Sequence, residues 1–299
     1  MKVKKWKLAS FLLPCLLLFA LIYLAPMCMV FGSSFFEWKA GGVFNFIGLD
    51  NYFNAFRNDA RMLTALKNTG IWVILQSVVH VTLGTVIAFM LSKRKKGWKV
   101  LRTIYMIPNV VSAAALAVIF LNVFNAQYGI INSFVKTVTG KPFMKNWFFD
   151  QNSAFITVTW SWLLYTGMII ILVLAGVLSI PEDVVEAAKI DGANAVQTFF
   201  KITLPYMLFV MTPYLITQFT GNVNNFNVIF LLSGGNPTPV ESTAGKTDLL
   251  VTWLYKLTIE KNYYNLGAVI GIMTFIVLAI VALVTYRNTT SYKDEEGFM

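Results

Sequence analysis

Acidic side chains are scarce in this sequence. Of 299 residues only 14 are Asp or Glu, against 24 Lys or Arg, and charged residues of both signs make up 13% of the chain. Histidine occurs once, at His80, and cysteine twice, at Cys15 and Cys28. That supply leaves no metal-ligand spacing, so no metal site is expected. The two cysteines stand on one apolar segment about 20 Å apart by helical rise, too far to bridge each other. No internal repeat and no low-complexity segment is evident. The net charge of +10 would suit a nucleic-acid partner. The basic residues, however, gather at the edges of apolar runs, where they meet anionic lipid headgroups, so the reading is membrane lipid and no nucleic acid.

Apolar residues are what the chain has in quantity, 57% of it with a mean hydropathy of +0.65. That balance belongs to a multi-pass membrane protein rather than a soluble domain. Six segments reach the 20 or so apolar residues that a bilayer-crossing helix needs, roughly 9–31, 69–91, 103–124, 155–178, 206–232 and 265–286. The fold class expected is therefore an all-α polytopic membrane protein with six transmembrane helices. None of the six segments contains Asp, Glu, Lys or Arg. An ion- or proton-coupled secondary transporter, the alternative class, usually carries ionisable groups inside its spans, and only His80 is available here. That histidine is read either as a packed neutral group or as a proton relay.

Orientation follows from lysine and arginine. The start, MKVKKWK, carries Lys2, Lys4, Lys5 and Lys7 ahead of a run too long for a signal-peptide core and without an A-x-A cleavage site, so it reads as a retained anchor. The next inward loop, SKRKKGWKVLR, holds Lys93, Arg94, Lys95, Lys96, Lys99 and Arg102. Both clusters place their side in the cytoplasm, and with six spans both termini are cytoplasmic. Residues 33–68 form an outward loop rich in Phe, Tyr and Trp, read as an interfacial belt or a ligand surface. The domains expected are an anchor helix with its loop (1–68), a five-helix core (69–286) containing a cytoplasmic loop at 179–205, and a polar tail (287–299).

That cytoplasmic loop carries the most specific pattern. Ser179 and Glu182 have capping-box spacing, and Glu182 and Asp183 put negative charge at a helix start. Gly192 after Asp191 suits the left-handed residue that closes a helix. Asn194 and Gln197 repeat the capping pattern for a second helix, expected to run out at Pro205. The stretch from Glu186 to Pro205, EAAKIDGANAVQTFFKITLP, resembles the EAA loop of ABC-importer permeases, whose pattern is E-A-A, three residues, Gly, nine residues, I-x-L-P. Glu186, Ala187, Ala188, Gly192, Ile202, Leu204 and Pro205 all match. The resemblance implies a type I ABC importer permease in which this loop, with Asp191, docks into a separate ATPase subunit. Ala187 and Ala188 would allow close approach, Glu186 would meet a cation, and Val184, Val185 and Ile190 would supply apolar contact.

The fifth segment contains TQFTGNVNNFNVIFLL, residues 217–232. Amides are costly against lipid, so they face protein or water. At 100° per residue Gln218, Asn222 and Asn225 fall within about 60° of one another. This stripe is assigned to a translocation path, and Asn224 and Asn227 to packing; the alternative is that all four asparagines only join helices. Together with TAGKTDLLVTWLYK, the stretch GNVNNFNVIFLLSGGNP is similar to the maltose-transporter type of permease subunit, and FIGLDNYFNAF and Tyr128-Gly129 resemble loops of such sugar-importer permeases. The resemblance implies Asn222, Asn225, Asn109, Ser161, Leu164 and Tyr165 as sugar-binding positions. Gly221 and Ala113 depart from it, standing where that type has an aromatic residue and a serine. It further implies two ATPase subunits carrying the ATP and Mg, a second, different permease subunit, an extracytoplasmic sugar-binding protein, and a bacterial or archaeal inner membrane. No cofactor is expected on this chain and no bond is broken by it. Ala244-Gly245-Lys246-Thr247 imitates the end of a phosphate-binding loop, but Val240 stands where its first glycine is required.

Overall fold

The computed structural model describes residues 5–38, 42, 44–57, 60–163, 165–240 and 242–287. Lys2, Lys4, Leu164 and the tail beyond Arg287 lie outside the described residues. The chain divides into two units, residues 1–63 with 254–277, and residues 64–253 with 278–299.

The first unit opens with α1 (Lys5–Phe19), a π turn at Ala20–Leu24 and α2 (Ala25–Ser33). Pro26 follows that π turn by two residues. A proline donates no hydrogen bond and its ring crowds the carbonyl four residues back, so a wider turn just before it relieves both problems. The outward loop then forms a short antiparallel hairpin, β1 (Phe36–Glu37) with β2 (Asn45–Phe46), and α3 (Asp50–Arg57). This hairpin is a small departure from the all-helical expectation. Much of the aromatic content is spent here, with Phe36 stacked on Phe44 at 4.3 Å and Trp38 against Tyr264 at 5.1 Å. Asn51 is the peg of the unit. Its amide donates to the carbonyls of Ser34 (2.8 Å) and Phe36 (2.9 Å), and its oxygen accepts from Asn265 (3.0 Å).

From α4 (Ala60–Ile74) the helix continues through a π turn at Leu75–Val79 into α5 (His80–Ser92). In the second unit α6 (Trp98–Val110) is followed by α7 (Ala113–Val123), and α8 (Ile130–Thr139) is closed by Gly140 in the left-handed region. Next come α9 (Ala154–Leu163), α10 (Gly167–Leu178), α11 (Glu182–Ile190) and α12 (Ala195–Thr198). A π turn at Phe199–Thr203 joins α12 to α13 (Leu204–Val223), which is followed by α14 (Phe226–Leu232). The described residues end with α15 (Leu250–Tyr255), a further π turn, and α16 (Tyr264–Arg287).

Among the described residues three helices are long and apolar enough to cross a membrane, Ser10–Ser33, Arg61–Ser92 and Tyr264–Arg287. The other three expected spans are broken rather than straight. The α6–α7 pair bends by 101° at Val111 and Ser112, both extended, with the Ser112 hydroxyl capping α7. The α9–α10 pair bends by 42°, and Ala195–Phe209 meets Met211–Val223 at 65°. Pro213 explains the last, because its ring presses on the carbonyl of Phe209. Counting each bent pair as one span gives six.

Two apolar clusters hold the second unit together. One gathers Trp72, Ala117, Phe148, Val158, Val223, Ile229 and Leu249, and the other Ala88, Leu91, Ile169, Val173, Met207 and Met211. The segment Ser233–Asp248 is knitted by its own polar groups: Thr247 Oγ1 bonds Ser233 Oγ (2.7 Å) and the Asn236 carbonyl (2.7 Å), and Gly245 N–H donates to Asp248 (2.7 Å). Gly245 is obligatory there, since a Cβ would sit 1.8 Å from the Gly235 carbonyl. The backbone donors a phosphate loop would offer are thus already engaged.

Candidate functional site

The hairpin α11–α12 is closed by two complete capping motifs. At the end of α11 the Ala193 N–H reaches the Ala188 carbonyl (2.9 Å) and Gly192 N–H the Lys189 carbonyl (3.0 Å), with Gly192 at φ +79°. This is the Schellman arrangement, and it requires a residue that tolerates positive φ. At the start of α12 Asn194 accepts from the Gln197 N–H and the Gln197 side chain accepts from the Asn194 N–H, both at 2.9 Å. The first cap differs from the sequence reading. The Ser179 hydroxyl donates back to the Gly176 carbonyl (2.8 Å) and ends α10, while Pro181 occupies the N-cap position of α11. The second helix does not run out at Pro205 either. It passes through the π turn at Phe199–Thr203 straight into α13, and Pro205 follows that turn by two residues as Pro26 follows its own.

Ile190 (86%), Val196 (64%) and Phe200 (60%) are exposed on this hairpin, with Glu186, Ala187, Asp191 and Gly192 also at the surface. These three large apolar side chains stand out from the capped hairpin and are not part of a core. Ala188 is buried, so it faces the chain's own bundle and not a partner. Thr203 is buried, and Ile202 and Leu204 are half-buried where the π turn meets α13. A groove of about 810 Å³ runs between the end of α5 and the hairpin, lined by Lys93, Arg94, Val185, Glu186, Lys189 and Thr198 among others.

Between the two apolar clusters lies a polar layer. Along each helix the residues separating one cluster from the other include Gln76 and His80 on α4–α5, Asn109 on α6, Ser161 and Tyr165 at the α9–α10 break, and Gln218 on α13. The breaks at Val111–Ser112 and after Leu163 and the π turn at Leu75–Val79 fall at this same level. Asn109 and Tyr165 are brought together, the Tyr165 hydroxyl donating to the Asn109 carbonyl at 3.4 Å, and Trp162 stacks on Tyr165 at 4.3 Å. Gly167 permits the approach, because a Cβ there would lie 2.2 Å from the Tyr105 carbonyl and 2.5 Å from Asn109 Nδ2. Gln218 donates to the Tyr214 hydroxyl one turn earlier. The Ser161 hydroxyl is buried and donates to the Thr157 carbonyl of its own helix (2.8 Å).

The single asparagine stripe is corrected by the structure. α13 stops at Val223, and Asn225 stands in the break, where its side-chain oxygen caps α14 through the Val228 N–H (3.4 Å). Gln218 and Asn222 share a helix face, but Asn225 does not continue it. Asn222 is buried, Asn225 half-buried, and Asn224 and Asn227, expected to glue helices, are exposed. Sequence reasoning missed Gln76, although a lone amide in an apolar run is the signal that drew attention to Gln218. Its amide oxygen and nitrogen, Ser77 Oγ, His80 Nε2 and Asn109 Nδ2 are all buried without a protein partner.

Long apolar helices, a polar layer where they break, and a doubly capped surface hairpin continuous with two of them define the membrane-embedded subunit of a transporter. The chain belongs to the family described as binding-protein-dependent transport system inner membrane component, whose model matches residues 80–289. It is a transport permease subunit and not a catalytic enzyme. It is 34% identical over 293 residues to the galactooligosaccharides transport system permease protein GanP of Bacillus subtilis (strain 168), covering 94% of this chain and 69% of that one. It is 30% identical over 307 residues to the maltodextrin transport system permease protein MdxF of the same organism, covering 96% and 69%. Its fold is shared with a bacterial ABC transporter involved in the import of the acidic polysaccharide alginate, at a TM-score of 0.77, 22% identity and 94% coverage of each chain.

Proposed function

We propose that this chain is one of two unlike permease subunits of an ATP-driven, binding-protein-dependent importer of sugars, an oligosaccharide in the first instance. It crosses the inner membrane of a bacterium or archaeon six times with both termini in the cytoplasm. The observation that carries the reading is the hairpin α11–α12, whose caps hold Ile190, Val196 and Phe200 outward while residues 179–181 tie one end to α10 and the π turn at Phe199–Thr203 carries the other into α13. A knob so built is a lever: a partner that grips it moves both helices at once. The partner is a pair of ATPase subunits, which bind ATP and Mg, and Glu186, Ala187, Asp191 and Gly192 face them. Ala188, Ile202, Leu204 and Pro205 fix the lever to the bundle. The names of GanP and MdxF support oligosaccharides as the class of cargo.

Sugar is held, on this reading, at the polar layer. Amides donate and accept at once, which matches vicinal hydroxyls, and an aromatic face such as Tyr165 covers a pyranose ring. Asn109, Ser161, Tyr165, Gln218, Asn222 and Asn225 are the contacts proposed, and the family resemblance adds Leu164, which lies outside the described residues. An extracytoplasmic sugar-binding protein delivers the cargo, and the second permease completes the path.

Gly192 supplies the test. A Cβ at Gly192 has no atom within 4 Å, so Gly192→Ala adds no clash, only the strain of a left-handed non-glycine residue, about 1–2 kcal/mol. Insertion and abundance should therefore persist while sugar uptake falls severalfold, and Gly192→Asn, which tolerates this conformation, should recover most of it. Normal uptake by Gly192→Ala would contradict the lever.

A further inference from the structure

Among the described residues Gln76 is the one side chain with two buried polar atoms that meet no protein partner, its amide oxygen and its amide nitrogen. It is 1% exposed and stands in the π turn at Leu75–Val79. Every fourth residue of this span is buried, giving a stripe of Trp72, Gln76, His80, Gly84 and Ala88. The ends of the stripe are apolar, Trp72 in one cluster and Ala88 in the other. Its middle is polar, and there the unmet groups collect.

Packing shows what that middle faces. The π turn packs against α13, and α5 against α10. On α13 one cluster ends at Leu215 and the other begins at Phe219, so the stretch between them, which holds Gln218, is level with Gln76. One turn past His80, a Cβ at Gly84 would lie 2.6 Å from Ile169 Cγ2 and 3.7 Å from the Thr166 carbonyl, at the start of α10. Gly167, beside Thr166, lies against Asn109, whose Nδ2 is also buried without a partner. Burying a donor or an acceptor unpaired destabilises a fold, and Gln76 does both. A methionine of the same length would fill the space without that cost. The amide thus contributes nothing to the packing of this conformation, while its donor and acceptor suit a ligand group that accepts and donates together, as a sugar hydroxyl does.

We propose that Gln76 is a sugar-binding, specificity-determining residue supplied by the second span, and that it takes one hydroxyl of the cargo. Both amide atoms are shut off from solvent here, so sugar reaches them when α10 and α13, the helices joined to the hairpin, draw away from the π turn. The proposal rests on the transporter reading above and adds a second-span residue to a site otherwise drawn from the third, fourth and fifth.

The test uses the complete importer, both permeases with the ATPase subunits, in proteoliposomes with saturating sugar-loaded binding protein. The sugars are the trisaccharide that wild type carries fastest from an α- and β-linked panel, and its monodeoxy analogues, each lacking one hydroxyl. Gln76→Met should melt at the wild-type temperature or above and carry the parent sugar about tenfold more slowly, the size of one hydrogen bond. Wild type should carry one analogue more slowly than the parent, and that penalty should shrink severalfold in Gln76→Met while the penalties on the other analogues stay. The binding protein is common to both complexes, so its own preferences cancel. Unchanged parent uptake, or unchanged penalties on every analogue, would overturn the proposal. A lower melting temperature or failed assembly of Gln76→Met would also overturn it, since the amide would then hold the fold together. A wild-type complex that carries no sugar of the panel and hydrolyses no ATP would instead overturn the transporter reading.

Discussion

At the scale of single residues, glycines and amides divide the work. Gly167 is where α10 starts under the backbone of α6, and no side chain fits between them. Gly167→Ala should cost 1–3 kcal/mol or more by overpacking and lower the yield of folded protein in detergent, measured by thermal melting; an unchanged melting temperature would contradict the close approach. Gly192 is the opposite case, a glycine kept for its φ of +79° with open space around it. The sequence alone made Gly192 and the Asn194–Gln197 box legible because a cap is a local device, closed within four or five residues. Asn225 was not legible in the same way. A periodicity argument presumes that the helix continues, and here the residue counted as part of a stripe is the one that caps the next helix.

Elements show the same limit on a larger scale. Windows of hydropathy found the apolar segments, since breaking a helix leaves its composition unchanged, but they passed over the 101° bend between α6 and α7. Ser112 before an alanine run is a start signal that marks the bend in retrospect. The π turns before Pro26 and Pro205 are a physical response to a missing donor, and an expectation of a helix end at Pro205 overlooked that a wider turn serves as well. α9 illustrates a start built outside the apolar run. The Asp150 carboxylate accepts from the Ser153 hydroxyl (2.7 Å) and N–H (3.0 Å) and pairs with Lys145 at 3.4 Å. The Ser153 hydrogen bond, with the help of Lys145, holds its pKa below the ordinary carboxylate value. A lowered pKa means the contribution is present in full above the ordinary value near 3.9 and is lost as pH falls through the folded value beneath it. The protection of the Ser153 amide and the first turn of α9 against hydrogen exchange, taken relative to the intrinsic rate at each pH, should therefore be full at neutral pH and fall only below about pH 4. Asp150→Asn should remove that acid dependence, and a dependence that survives the substitution would assign it elsewhere.

For the whole molecule the recurring feature is a polar layer between two apolar clusters in the second unit, at the level where the α6–α7 and α9–α10 pairs break and the Leu75–Val79 π turn widens. Broken helices leave backbone groups that need polar company, and amides in an apolar run need the same, so the two features gather at one level. Sequence reading located Asn109 and Tyr165 through a family resemblance, Gln218 by the helical spacing of amides in an apolar run, and His80 by its isolation. It had no means of seeing that Gln76 and His80 share their level, because only packing sets the heights of neighbouring helices. The central claim is that the capped hairpin lies on the cytoplasmic side in the grip of an ATPase. The most direct measurement replaces Cys15 and Cys28 by serine, introduces Ile190→Cys at the most exposed apolar position of the hairpin, and applies a membrane-impermeant maleimide to right-side-out and inside-out vesicles. The account predicts labelling only in inside-out vesicles and its suppression when the ATPase subunits are bound; labelling of right-side-out vesicles would contradict it.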